Sequence, residues 1–225
     1  MKIKVLYEDA NILAIDKPSG VLVDAISKKY PNFILAHRLD RETSGAMLLA
    51  KNKKAHETLK SQFQARTVKK IYNAIVSGFV TRDHQIINKP IGRSPSDFRR
   101  WLAGRGARGT MRDAVTEYKV LKRFTDNGIK FTYLEVKPKT GRTHQIRVHM
   151  KYLNHPVVCD SLYNPTGPCP KGIKRMALHA KSIEFSALGG SASGGKNKTI
   201  KVESPLPKEF SALGGSASGG KKMFS

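Results

Sequence analysis

Three short clusters hold the residues best suited to chemistry: His37-Arg38-Leu39-Asp40, Lys70-Ile71-Tyr72, and the run TGRTHQIRVH from Thr140 to His149. In the first, the carboxylate of Asp40 sits between Arg38 and Arg41, just ahead of a small-residue turn, Thr43-Ser44-Gly45. A buried carboxylate tends to protonate unless a cation holds it charged, and arginines beside it do that. An acid kept anionic in a dry cleft can act on a bound substrate. Tyr72 offers a ring that stacks and a hydroxyl that moves a proton. The third cluster adds Arg142, His144 and Arg147. Taken singly, each cluster has a plainer account: a structural salt bridge, a core tyrosine, a solvated basic helix face.

The elements that must position these groups follow from local patterns. The opening reads as two strands around the Asp9-Ala10-Asn11 turn, closed by Pro18-Ser19-Gly20. GAMLLAK, from Gly45 to Lys51, is a short apolar strand directly behind the Asp40 loop. Asn52 is placed to cap a helix with Ala55, Leu59 and Phe63 on one face. The stretch from Lys69 to Val80 alternates as a strand, with Ile71, Asn73 and Ile75 on one face and Tyr72, Ala74 and Val76 on the other. Asn127-Gly128 joins a hairpin. After Gly141 the pattern turns helical, with Ile146, Met150 and Leu153 as the buried stripe and His144, Arg147 and Lys151 on a polar face. Met176 to Phe185 and Asn197 to Pro205 read as paired strands. Strands and helices mix without a βαβ rhythm, which predicts an α+β fold with a largely antiparallel sheet.

Bulk composition narrows the function class. The chain has 225 residues, enough for one large domain or two modest lobes. Lys and Arg number 41 against 17 acids, a formal charge of +24, and a field of that strength attracts polyanions. Nucleic acid fits better than a membrane, because no long apolar span and no strongly amphipathic basic helix to lie on one is present. Acids interrupt the N-terminal stretch at once, unlike a signal peptide. Cys159 and Cys169 are accordingly expected as reduced thiols in a cytoplasmic protein. His144, His149 and His155 match no zinc spacing with them, and the acids do not cluster, so no metal is expected.

Read together and in order, the motifs resemble the pseudouridine synthases of the RluA type. HRLDRETSGAMLLAK, KKIYNAIVSG, AVTEY, KTGRTHQIRVHM and CDSLY carry the resemblance, with YEDANILAIDKPSG at the start and ALHA near residue 179. It covers about residues 3–210. It implies the pseudouridine synthase fold, an active-site cleft across the sheet, and isomerisation of uridine to pseudouridine in ribosomal or transfer RNA without metal, nucleotide or other cofactor. The family's essential aspartate corresponds by motif to Asp40, its partner arginine to Arg147 and its active-site tyrosine to Tyr72. The target uridine cannot react inside a helix and must flip out. The resemblance then casts Arg38 as the group that fills the vacated space, since a guanidinium plane stacks like a base.

Two positions depart from the family pattern. Cys159-Asp160 stands where Gly-Asp is usual, and Asn164 stands where a glycine follows the tyrosine, the latter read as tolerating a special backbone angle. The YEDANILAIDKPSG motif begins almost at residue 1, so RNA grip is expected from the catalytic domain, residues 1–210, acting as a monomer. Arg38, Arg41, Arg142 and His144 would contribute near the site. Residues 88–113 crowd six arginines among glycines and prolines, with Phe98 and Trp101 interleaved, and read as a basic excursion whose Arg99, Arg100, Arg105 and Arg108 hold RNA. EFSALGGSASGGK occurs at 184–196 and again at 209–221; residues 211–225 read as a flexible Gly/Ser tail. The runner-up is a non-catalytic RNA-binding, ribosome-associated protein. It accounts for the charge but not for one acid inside a long matching motif.

Overall fold

The computed structural model describes residues 3–187 and 198–211, so the second half of the first repeated string and nearly all of the tail lie outside the described residues. The chain runs through β1 (Lys4–Glu8), β2 (Ile12–Lys17), α1 (Val23–Lys29), β3 (Ile34–Leu35), β4 (Ser44–Ala50), α2 (Lys53–Gln64), β5 (Lys69–Ser77) and β6 (His84–Asn88). It continues through β7 (Ile91–Arg93), β8 (Trp101–Ala103), β9 (Arg108–Arg112), β10 (Val115–Asp126), β11 (Ile129–Pro138), α3 (Gln145–Tyr152), β12 (Leu178–Ser186), β13 (Thr199–Glu203) and α4 (Lys208–Ser211). Ten strands form one sheet in the order β1-β2-β4-β12-β5-β11-β10-β6, with β13 on β12 and β3 on β4. Pairing is antiparallel except between β4 and β12. Among the described residues no helix is long and apolar enough to cross a membrane.

Alternation splits the apolar strands between two cores. Leu13, Ile15, Met47 and Leu49 pack on one face with Val23 and Ile26 of α1. Ile12, Ala14, Ala46, Leu48 and Ala50 pack on the other with Ala55 and Leu59 of α2. Every residue of β4 is buried, as its unbroken apolar run requires. The parallel β4–β12 joint depends on Gly45: its φ is +116°, and a Cβ there would lie 2.2 Å from the Ala180 carbonyl oxygen. That close approach sets the Asp40 loop, which feeds β4, beside the middle of the sheet. Asn52 caps α2 by accepting from the Ala55 amide at 2.8 Å, and the β10–β11 hairpin turns on Asn127 and Gly128, both at positive φ. Helix α1 carries no strong periodic signal, and nothing in the sequence pattern marks it.

Four expectations need correction. Residues 88–113 are not only an excursion: β8-β7-β9 make a second sheet, and Ile91 and Ala103 share a small core with Ala114, Val148 and Tyr163. Arg147 does not lie on a solvated face with the exposed Lys151; it is buried. The left-handed backbone belongs to Cys159, at φ 55°, rather than to Asn164. The Asn164 side chain instead donates from Nδ2 to the Ser77 hydroxyl at 3.2 Å. Cys159 and Cys169 are joined as a disulfide, with Cα atoms 5.5 Å apart, and are not free thiols. Sequence separation says little about such a meeting: Pro and Gly turns between them fold the segment back on itself.

Candidate active site

Asp40 lies at the junction of two clefts, of about 620 Å³ and about 430 Å³, which share Arg38, Asp40, Arg142, His144 and Arg147. Its Oδ2 accepts a hydrogen bond from Arg147 Nη1 at 3.2 Å, and its side chain is 25% exposed. Arg147 itself is held more firmly elsewhere. Its Nε and Nη2 donate to the two oxygens of fully buried Asp160 at 2.7 and 2.8 Å, a two-pronged pairing that fixes the guanidinium plane. Burial works against the arginine's charge, and Asp160 and then Asp40 offset it. Asp160 Oδ1 also accepts from the Leu162 and Tyr163 amides. The Tyr163 ring lies 4.9 Å from the same guanidinium. One buried cation is therefore shared between a sequestered carboxylate and one that faces the cleft.

His144 opens α3 in a left-handed conformation, φ 56°, a backbone state that costs a non-glycine residue about 1–3 kcal/mol. Its Nδ1 lies 3.0 Å from the Tyr163 hydroxyl, which accepts from the Trp101 amide at 2.9 Å. Burial lowers the His144 pKa, against the pull of Asp40, which favours the neutral ring beside the phenol. Burial pushes the Tyr163 phenol up to about 12. Through Trp101 the second sheet is thus bonded to the site.

The larger cleft extends from Asp40 past Tyr72 and Lys70 to Phe63 and Arg66. Burial, and then the charge of Asp40, raises the Tyr72 pKa, so the phenol is protonated at rest. Lys70 Nζ donates to the Thr140 carbonyl at 3.2 Å, and burial pulls its pKa down to about 8. Arg38 is exposed on the rim of both clefts. Arg142 Nε donates to the Asp113 carbonyl at 2.9 Å, while its amide donates to Gln145 Oε1. Arg41 faces the smaller cleft and pairs with Glu42 at 2.7 Å. Arg99 and Arg100 in the β7–β8 loop, Arg105 in the β8–β9 connection and Arg108 at the start of β9 lie outside both clefts, and Asp97 engages Arg99 at 2.9 Å and Arg100 at 3.4 Å.

Sequence reasoning misses three supporting residues. In the sequence Asp160 stands out only as the neighbour of an unusual cysteine, and Tyr163 only as part of CDSLY. The third, Lys17, is fully buried and donates to the carbonyls of Pro18, Val21 and Arg41 at 2.9, 2.8 and 3.0 Å. It ties the Asp40 loop to the Pro18–Gly20 turn, and burial pulls its pKa down to about 8. His37 holds the loop's other side by accepting from the Leu48 amide at 3.0 Å. A lysine inside an apolar strand is the signal that could have found Lys17, since such a group needs several acceptors. Among the described residues no group of three or more His, Cys, Asp or Glu is arranged to hold a metal.

A family model described as RNA pseudouridylate synthase matches residues 11–152. Over 236 residues the chain is 36% identical to the ribosomal large subunit pseudouridine synthase D of Neisseria meningitidis serogroup B, covering 93% of this chain and 59% of that protein. It is 36% identical over 196 residues to the dual-specificity RNA pseudouridine synthase RluA of Vibrio vulnificus, covering 81% of this chain and 77% of that one. The solved structure of human RNA pseudouridylate synthase domain containing 1 superposes with a TM-score of 0.78 at 28% identity, over 92% of this chain and 84% of that one. The fold is the α+β pseudouridine synthase fold, with no closed barrel. Motif, cleft and matched fold converge: the chain belongs to the RNA pseudouridylate synthase family.

Proposed function

We propose that this protein isomerises uridine in RNA to pseudouridine, with Asp40 acting on the target nucleotide. The observation that carries the reading is Asp40 itself: a carboxylate facing a cleft, bonded through one oxygen to a buried arginine that a second carboxylate locks in place. In the reaction the bond from ribose C1′ to uracil N1 breaks, the uracil turns, and C1′ bonds to C5. C5 loses a proton and N1 gains one, so atoms balance without a cofactor. Asp40 has two routes to that cleavage, attack at C1′ or removal of a ribose proton, and either needs the carboxylate rather than the acid. Tyr72 stacks on the uracil, and its hydroxyl is the group nearest to hand for the C5 proton.

Residues 1–210 form the catalytic domain in this reading, and the arginines of the second sheet grip RNA outside the cleft. Relatives named for the large ribosomal subunit make ribosomal RNA the first substrate to test, with transfer RNA second. A purely RNA-binding protein would have no use for an ion-paired carboxylate at the bottom of its cleft. The test is incubation with unmodified cellular RNA followed by mapping of new pseudouridines. Discrete new sites with wild type and none with Asp40→Asn are expected; no new sites in any RNA would sink the reading.

A further inference from the structure

Among the described residues Phe98 is the most exposed large apolar side chain, at 82%, well beyond Ile86 at 55%. It sits at the tip of the 94–100 loop, which joins β7 to β8. An apolar ring left in water forgoes the gain of burial, so a loop that presents one invites a reason.

The loop is braced from inside. The Ser94 amide donates to the Arg100 carbonyl at 3.0 Å, and the Arg100 amide to the Asp97 carbonyl at 2.9 Å. Asp97 Oδ1 accepts from the Arg99 amide at 2.9 Å. Arg93 Nη1 donates to the Phe98 carbonyl at 2.8 Å, while the same guanidinium lies 4.2 Å from the Trp101 ring. Trp101 in turn bonds Tyr163, and Tyr163 bonds His144 at the cleft. The backbone that carries Phe98 is thus tied by a continuous set of contacts running to the site, while the ring itself stays open to solvent. Arg99 and Arg100 follow Phe98 in the loop, both paired with Asp97, Arg93 bonds its carbonyl, and Arg108 lies opposite Arg93 across the β7–β9 register.

We propose that Phe98 is a stacking contact for RNA: its ring takes the face of an unpaired nucleobase flanking the target uridine, while the neighbouring arginines meet phosphates. This rests on the RNA-modifying reading and adds to it a position outside the cleft where base, rather than backbone, is engaged. The chemistry is sequence-tolerant, because every base has a π-face, and a loop whose backbone is already braced has less to order on binding.

The test measures affinity for two probes, a short RNA hairpin with an all-uridine loop and the same hairpin with abasic riboses in the loop. Phe98→Ala is expected to weaken binding of the first by about 5- to 150-fold, the range for removing one base stack. It should leave the abasic hairpin and the salt dependence unchanged, since every arginine that meets phosphate is still in place. Phe98→Leu should stay weak, whereas Phe98→Trp should bind like wild type and be quenched by the base-bearing hairpin. An effect of Phe98→Ala under about twofold, an equal weakening on both hairpins, a changed salt slope, or full recovery with Phe98→Leu each overturns the proposal. Wild type that forms pseudouridine while Phe98→Ala binds normally sinks this inference alone. Wild type that binds neither hairpin and modifies no RNA sinks both.

Discussion

At the scale of single residues, Asp40, Arg147 and Asp160 behave as one unit with unequal parts. Asp160 is the permanent counter-ion, bonded through both oxygens and shut from water; Asp40 shares what remains of the guanidinium and faces the cleft. Asp40→Asn preserves shape and removes charge. It is expected to keep fold and RNA affinity and to lose on the order of 10²–10⁴-fold or more in turnover, read by pseudouridine formation under single-turnover conditions. Near-normal turnover would remove Asp40 from the chemistry. Asp160→Asn attacks the same unit from behind: breaking one side of a buried pair costs roughly 3–5 kcal/mol, read as a lower urea midpoint. Tyr72→Phe keeps the ring, so affinity should hold, while removal of the hydroxyl should slow product formation. An unchanged rate would leave Tyr72 a stacking surface.

At the scale of elements, the junction of β4 with β12 controls where the Asp40 loop begins. Gly45→Ala would drive a Cβ into the Ala180 carbonyl and add a positive-φ penalty, and backbone is the least yielding of neighbours. The expected cost exceeds about 4 kcal/mol in chemical denaturation, and a cost below about 1 kcal/mol would show that the two strands can part. The loop's anchors also predict a pH response. His179 meets the loop's end, its Nδ1 2.9 Å from the Ser44 hydroxyl; burial, and then the charge of Lys70, holds the His37 pKa at about 4, and burial, and then Arg175, holds His179 at about 4. For a base whose folded pKa lies below its unfolded value of about 6.5, the unfolded chain takes up the proton first as pH falls. Stability is therefore fully present above about pH 6.5 and declines until about pH 4, by up to about 3 kcal/mol for each histidine. Imidazole proton shifts followed by NMR provide the check: His37 and His179 should stay neutral through about pH 5, and ordinary titration near 6.5 would refute the argument.

At the scale of the whole molecule, a formal charge of +24 supplies long-range attraction, and the second sheet concentrates part of it near the cleft. Replacing Arg99, Arg100, Arg105 and Arg108 with alanine should weaken RNA binding without changing turnover at saturation. Every phosphate that is no longer neutralised flattens the slope of log affinity against log salt by about 0.7–0.9, or roughly 3 for all four arginines. Asp97 already engages Arg99 and Arg100, so a smaller change, down to about 1.5, identifies Arg105 and Arg108 as the pair that meets phosphate. A slope that does not move would reduce all four to a diffuse field.

Local order is legible in the sequence because it is set within a few residues. The apolar run of β4, the Asn52 cap, the Asn127-Gly128 turn and the alternation of β5 each express backbone geometry and side-chain period, and all appear where those patterns put them. Asp40, Tyr72 and Arg147 stand out in the sequence as candidates, because long motifs mark them, although no pattern within a motif says that they share a cleft. Tertiary structure alone decides the rest. Arg147 and Asp40 are 107 residues apart, and only the docking of α3 against the sheet brings them to 3.2 Å. The same docking buries an arginine that a helical wheel assigns to solvent. It makes Asp160 and Tyr163 part of the site and gives the arginine-rich segment a core shared with α3, while the turns between Cys159 and Cys169 close a disulfide where thiols were expected. Helical and strand periods report which face of an element is apolar; they do not report what that face will meet, because the partner is chosen by packing between segments far apart in the chain.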